Sequence, residues 1–218
     1  MLLYLCGMDG YSSIYNAMCS ISTGGFWHNN SAVFNNVFSE AVTIGLMFMG
    51  SMGFLVHYTL LNGEVRKVLR NIEVILMLAI ILVGVILFTN VLVGLASFGN
   101  SVEESVFNVV SAATTTGYSS IDFSQINDFG KLLTVLLMIV GAGVNSTGGG
   151  IKLMRAFIVI SSLMWMLKKI ILPKTAVVPF KIKDVSLGDY EVERALLHAV
   201  IHVSILVLGG LVMTAYSY

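Results

Sequence analysis

The sequence predicts an all-α integral membrane fold, made of repeated units of short helix, turn and spanning helix, with one long helix interrupted. Three observations predict it. Of 218 residues, 56% are hydrophobic and 11% charged, against about 25% charged in a soluble domain; mean hydropathy is +0.89. Apolar runs long enough to cross a bilayer, which takes about 20 residues, alternate with runs too short to cross. The glycine-rich stretch 145–152, N-S-T-G-G-G-I-K, separates two apolar runs, 132–140 and 153–166. Each glycine in a helix interior costs about 1 kcal/mol against alanine. In lipid, open backbone survives only where protein buries it or it borders water. The stretch therefore reads as a helix broken inside the membrane, beside a path for something polar.

The formal net charge is zero, so there is no nucleic-acid footprint. Cys6 and Cys19 have no metal-ligand spacing. Residues 1–6 are too short for a signal peptide, and Asp9 follows soon after.

In chain order, residues 1–7 are apolar but cannot span. Residues 10–22 carry Ile14, Ala17, Met18 and Ile21 at helical spacing. This short helix runs into Ser22, Thr23, Gly24, Gly25 and Phe26, and reads as a re-entrant half-helix followed by a turn. Residues 28–36 form a polar, asparagine-rich loop. Residues 39–61 are a credible span, with Gly45, Gly50, Ser51 and Gly53 for close helix packing. Residues 62–70 are basic. Residues 72–96 form a second span, marked by Glu73 near its start, and 97–104 a polar connection. Residues 105–114 are a second half-helix, running into Thr115, Thr116, Gly117 and Tyr118. Residues 119–128 are polar, 129–166 are the interrupted apolar stretch, 167–190 a basic linker, and 191–218 a further apolar helix. Lys and Arg collect in 62–70 and 168–183, which places those loops in the cytoplasm.

The two half-helix regions match without a gap. Ser13 pairs with Ser105, Asn16 with Asn108, Thr23 with Thr115, Gly25 with Gly117 and Asn35 with Asn127; Phe26 pairs with Tyr118. Repeated units in a membrane commonly surround a shared path. Such turns suit a cation. Backbone carbonyls can replace its water shell, and a residue free to take positive φ lets the backbone turn. Gly25 and Gly117 supply that freedom, Thr23, Thr115 and Thr116 can add hydroxyl oxygens, and half-helix C-termini direct negative partial charge inward.

These residues resemble the Trk/Ktr/HKT superfamily of potassium transporters. The most specific element is 143–155, G-V-N-S-T-G-G-G-I-K-L-M-R, followed by 113–119, A-T-T-T-G-Y-S, and 20–26, S-I-S-T-G-G-F. The resemblance implies units arranged as in potassium channels: outer helix, pore half-helix, filter loop, inner helix. It implies filter loops at Thr23, Gly24, Gly25, Phe26 and at Thr115, Thr116, Gly117, Tyr118. Potassium, the transported ion, would meet Thr23, Gly25, Thr115, Thr116 and Gly117. No covalent cofactor is implied. It further implies an intramembrane gating loop of Gly141, Gly143, Asn145, Ser146, Thr147, Gly148, Gly149 and Gly150, with Lys152 as the basic residue after it. In this family a filter glycine accompanies potassium selectivity. The family also implies a homodimer in the cell membrane and a nucleotide-binding regulatory subunit at the cytoplasmic face.

On that pattern, residues 1–61 are a second pore unit without its outer helix, 62–166 a third unit, and 191–218 the outer helix of a fourth. The remaining units are expected elsewhere, and the chain reads as a fragment or truncated product. Two other functions fit parts of this pattern. One is a non-transporting remnant or membrane scaffold. The other is an intramembrane serine hydrolase using Ser146 with His198 or His202, which leaves the repeat unexplained.

Overall fold

The computed structural model describes residues 2–28, 36–93, 98–171, 180–182, 185–186 and 188–216. Most of the loop expected at 28–36, the end of the span expected at 72–96, and Pro173, Lys174, Pro179 and Lys183 of the linker lie outside them. Among the described residues the regular structure is helical apart from a hairpin of two-residue strands, β1 (Lys181–Ile182) antiparallel to β2 (Val185–Ser186), with Lys181 opposite Ser186. It forms two compact units, Met1–Gly150 and Ile151–Tyr218.

In the first unit the described helices are α1 (Leu2–Leu5), α2 (Gly10–Ile21), α3 (Val37–Ser51), α4 (Phe54–Leu61), α5 (Val65–Leu69), α6 (Ile72–Leu92), α7 (Phe98–Ala113) and α8 (Asp128–Val140). Their starts are set by polar side chains. Asp9 caps α2 by accepting from the Ser12 amide. Asn36, Asn71 and Asn127 cap α3, α6 and α8 in the same way. Each such cap is worth about 1 kcal/mol. Asn36, Asn71 and Asn127 of the polar connections are thus helix starts.

The packed centre lies between α6, α7 and α8, where Phe88, Leu92, Val109, Ala112, Ile126 and Leu137 are buried together. A second cluster, Met47, Phe107, Val110 and Tyr118, joins α3 to α7 and takes in Trp27 and Cys19. Lipid offers helices no hydrophobic drive to associate, so close packing must hold them. At Gly84 a β-carbon would lie 2.8 Å from Val109 Cγ1; the missing side chain lets α6 and α7 approach.

Two expectations are corrected. Residues 39–61 are not one straight span. The helix breaks after Ser51, and α3 and α4 meet at 110°. The backbone groups at the break bond elsewhere: the amides of Gly143 and Thr147 donate to the Ser51 and Gly50 carbonyls (3.0 and 3.3 Å), and the Phe54 amide donates to the Asn145 carbonyl (3.1 Å). Residues 98–104 are not a connection but the first two turns of α7. Their polarity does not oppose a helix, because Ser105 Oγ donates to the Ser101 carbonyl and Asn108 Nδ2 to the Glu104 carbonyl, both four residues back.

In the second unit, α9 (Leu153–Ile171) packs on α10 (Asp189–Ala215). α9 carries Lys168 and Lys169 in its last turn, so the helix runs into the basic segment expected to be linker. Among the described residues, two helical segments, α6 and Tyr190–Ala215 of α10, are long and apolar enough to cross a membrane. The bent pair α3–α4 makes a third if it counts as one span.

Candidate ion-filter site

Each half-helix ends in the same backbone shape. After α2, Thr23 and Gly25 have φ of 51° and 72°; after α7, Thr115 and Gly117 have 58° and 84°. The Gly24 amide donates to the Cys19 carbonyl (2.8 Å), and the Thr116 amide to the Ser111 carbonyl (2.9 Å). A buried asparagine braces each turn. Asn16 Oδ1 accepts from the His28 amide, and its Nδ2 donates to the His28 carbonyl. Asn108 Oδ1 accepts from the Ser120 amide, and its Nδ2 donates to Ser120 Oγ. Every one of these partners is related by the same repeat, down to His28 and Ser120. A β-branched residue at positive φ is a true outlier and costs of order 1–3 kcal/mol. Finding it at Thr23 and again at Thr115 marks a shape that both turns require.

The turns also touch each other. A β-carbon on Gly25 would lie 2.2 Å from the Thr116 carbonyl oxygen, whereas one on Gly117 would meet nothing within 4 Å. Tyr118 donates its hydroxyl to the carbonyl of its repeat counterpart, Phe26 (3.2 Å), and stacks on Trp27 at 3.7 Å between centroids. Each threonine hydroxyl has a partner: Thr23 Oγ1 donates to the Ser22 carbonyl, Thr116 Oγ1 pairs with Thr114 Oγ1, and Thr115 Oγ1 accepts from the Gly149 amide.

That last bond belongs to the interrupted stretch. After α8, Gly141 turns at φ 74° and Gly150 at 82°. The two glycines meet: a β-carbon on Gly150 would lie 2.5 Å from Gly141 Cα, and one on Gly141 2.3 Å from the Gly149 carbonyl oxygen. The residues between them form a loop closed at its base, where the Ala142 amide donates to the Gly149 carbonyl (3.3 Å). Its tip reaches the end of α2. Thr147 Oγ1 lies 2.9 Å from the Ile21 carbonyl and 2.8 Å from the Gly50 carbonyl, and its single proton is shared between them. Its other side reaches the second turn, where Gly149 donates to Thr115 Oγ1 (2.7 Å). Gly148 sits there because a β-carbon would strike Ala142 Cβ at 2.3 Å. Asn145, at φ 56°, gives its carbonyl to α4, and Ser146 Oγ donates to the Gly143 carbonyl (2.6 Å). Glu73, in the first turn of α6, accepts from the Val144 amide (3.3 Å). Sequence reading met Glu73 only as an interruption of a span. Its signal, a carboxylate at the second position of an apolar helix, was present. Lys152 also has positive φ, 81°.

A family model described as TrkH, cation transport protein, matches residues 4–217.

The chain belongs to the TrkH family of cation transporters. Among curated relatives, an uncharacterized cation transporter of Methanocaldococcus jannaschii is 29% identical over 219 residues, covering 100% of this chain and 44% of that protein. The Trk system potassium uptake protein TrkI of Halomonas elongata is 33% identical over 161 residues, covering 71% of this chain and 32% of that protein. TrkH of Escherichia coli K12 is 25% identical over 207 residues, covering 91% and 41%. The crystal structure of the potassium transporter TrkH from Vibrio parahaemolyticus superposes with a TM-score of 0.80 at 23% identity, over 89% of this chain and 43% of that one. The fold is therefore TrkH-like, and the family is one of transporters, not enzymes. The chain spans less than half the length of these relatives.

Proposed function

We propose that this TrkH-family chain contributes to potassium uptake across the cell membrane, with the turns at Thr23–Phe26 and Thr115–Tyr118 as filter loops and 141–150 as the gating loop. The observation that carries the reading is the loop's pair of attachments, Thr147 to the end of the first half-helix and Gly149 to Thr115 in the second turn. A segment bonded to both turns can hold a shared path shut, and release it by exchanging a few hydrogen bonds of about 1 kcal/mol each. The relatives described as potassium uptake proteins support potassium as the ion. Two filter loops do not enclose a path by themselves. The others come from a second copy of the chain or from further pore units, and a nucleotide-binding regulatory subunit engages the basic cytoplasmic segments.

Rubidium uptake tests this in cells stripped of their own potassium uptake, first with the chain alone, then with Gly117→Asp. Uptake abolished by the substitution supports a self-sufficient dimer. No uptake, with the protein verified in the membrane, calls for supplying the missing units. If uptake is then restored and Gly117→Asp leaves it unchanged, the filter assignment is wrong.

The second reading is a non-transporting membrane scaffold. It requires uptake to stay at background even with those units supplied.

A further inference from the structure

Within the second unit, α9 and α10 form an open surface cavity of about 500 Å³ lined by Arg155, Arg194, His198 and Glu191 on its polar side and by Ile158 and Ile201 on its apolar side. Potassium translocation assigns it no role. Its polar wall is built. Arg155 Nη1 lies 3.2 Å from His198 Nε2, which orients the guanidinium from the neighbouring helix. The Arg194 guanidinium lies 5.4 Å over the Tyr190 ring, a contact that fixes its direction without consuming its hydrogen-bond donors. Two guanidinium groups against one carboxylate leave net positive charge, and guanidinium matches phosphate oxygens in geometry as well as sign.

Depth follows from α10. The charges of this helix end at Arg194. His198 and His202 follow, and the remainder to Ala215 is apolar apart from Ser204 and Thr214. A span begun just past Arg194 puts the cavity at the membrane interface, and the basic segment 168–183 puts that interface on the cytoplasmic side. Basic pockets between membrane helices on that side suit lipid headgroups. The apolar wall distinguishes a lipid from a free anion, because glycerol and upper acyl carbons need such a surface and inorganic phosphate does not.

We infer that the α9–α10 cavity binds the phosphate headgroup of an anionic phospholipid from the cytoplasmic leaflet, through Arg155 and Arg194. The test uses the full chain purified in uncharged detergent. Thermal unfolding is followed with phosphatidylglycerol, with phosphatidylcholine or with inorganic phosphate, for the wild type, Arg155→Gln, Arg194→Gln and Arg155→Lys.

The expected result is a rise of several degrees with phosphatidylglycerol, little with phosphatidylcholine, and loss of the rise in both glutamine variants, with Arg155→Lys keeping part of it. An equal rise with phosphate, lost in the same variants, would uphold the phosphate site and make a soluble anion its occupant. Equal rises for both lipids, a phosphatidylglycerol rise that survives both glutamine variants, or no rise with any addition would overturn the inference. A glutamine variant that fails to fold transfers its role to Arg155→Lys, whose unchanged response would count against the site. None of these readings depends on transport, so failure here is separable from failure of the filter assignment.

Discussion

Gly25 and Gly117 occupy equivalent places in the two turns, yet alanine should affect them unequally. Both have positive φ, 72° and 84°, so alanine costs about 1–2 kcal/mol at either through left-handed backbone alone. The surroundings differ. The new methyl at Gly25 would lie 2.2 Å from the Thr116 carbonyl oxygen, while at Gly117 it would meet nothing within 4 Å. A carbon–oxygen contact settles at about 3.3–3.6 Å, so the two turns must part by roughly 1 Å. Overpacking of that kind adds about 1–3 kcal/mol. Gly117→Ala should therefore cost about 1–2 kcal/mol, and Gly25→Ala about 2–5. Thermal unfolding of the purified chain in detergent should rank wild type above Gly117→Ala, and that above Gly25→Ala. The Trp27–Tyr118 stack beside the contact should loosen in Gly25→Ala alone, seen as a change in tryptophan emission. Equal midpoints, or a lower one for Gly117→Ala, would refute the direct contact between the turns.

Thr147→Val should free the loop from the Ile21 carbonyl and leave only the Thr147 amide on the Gly50 carbonyl, at a cost of about 0.5–1.5 kcal/mol, raising hydrogen exchange across 141–150; Thr147→Ser should not. Glu73→Ala should speed exchange of the Val144 amide, with Glu73→Gln, which keeps an acceptor, in between. Asn16→Ala and Asn108→Ala should each cost about 1–3 kcal/mol, because each leaves polar groups of its turn unmet; thermal midpoints that differ widely would break the equivalence of the two braces. Asp122 accepts from the Ser124 amide at 2.9 Å, and this bond holds its carboxyl below the ordinary 3.8. The folded value is the depressed one, so its contribution is complete above about pH 4 and disappears as pH falls through the folded value. Ser124 amide protection, corrected for intrinsic exchange, should fall over that acid range in the wild type and stay flat in Asp122→Asn.

The sequence made the two turns legible because their hydrogen bonds are local and depend on residue type. Asn16 and Asn108 meet partners 12 residues on, and an ungapped repeat carries such pairs intact. The interrupted helix was legible because glycine is costly in a helix whatever surrounds it. The break between α3 and α4 was not. Hydropathy does not distinguish a straight apolar run from a bent one, and the groups that stabilise the bend, at Gly143, Asn145 and Thr147, lie some 90 residues away. Gly50 and Gly53 read as helix-packing glycines. They are instead the surfaces on which the Ile21 and Val144 carbonyls rest, at 2.2 and 2.4 Å from where their β-carbons would be. The first turns of α7 were misplaced because their polarity resembled that of a connection. Their hydroxyl and amide groups turn back into the helix, where Ser101 and Ser105 are fully buried.

The bend at Ser51 is held by residues that do not yet exist when Ser51 itself is made. Phe54 waits for Asn145, and a ribosome adding 5–20 residues per second needs roughly 5–20 s to supply it. During that interval the segment 37–61 has no partner for its bend, and the membrane favours a straight apolar helix with its backbone bonds closed on themselves. The finished shape therefore requires an early span to fold over late in synthesis, when the loop emerges to receive its open carbonyls. A chain stalled before residue 145 would carry an ordinary transmembrane helix where the complete one carries a corner.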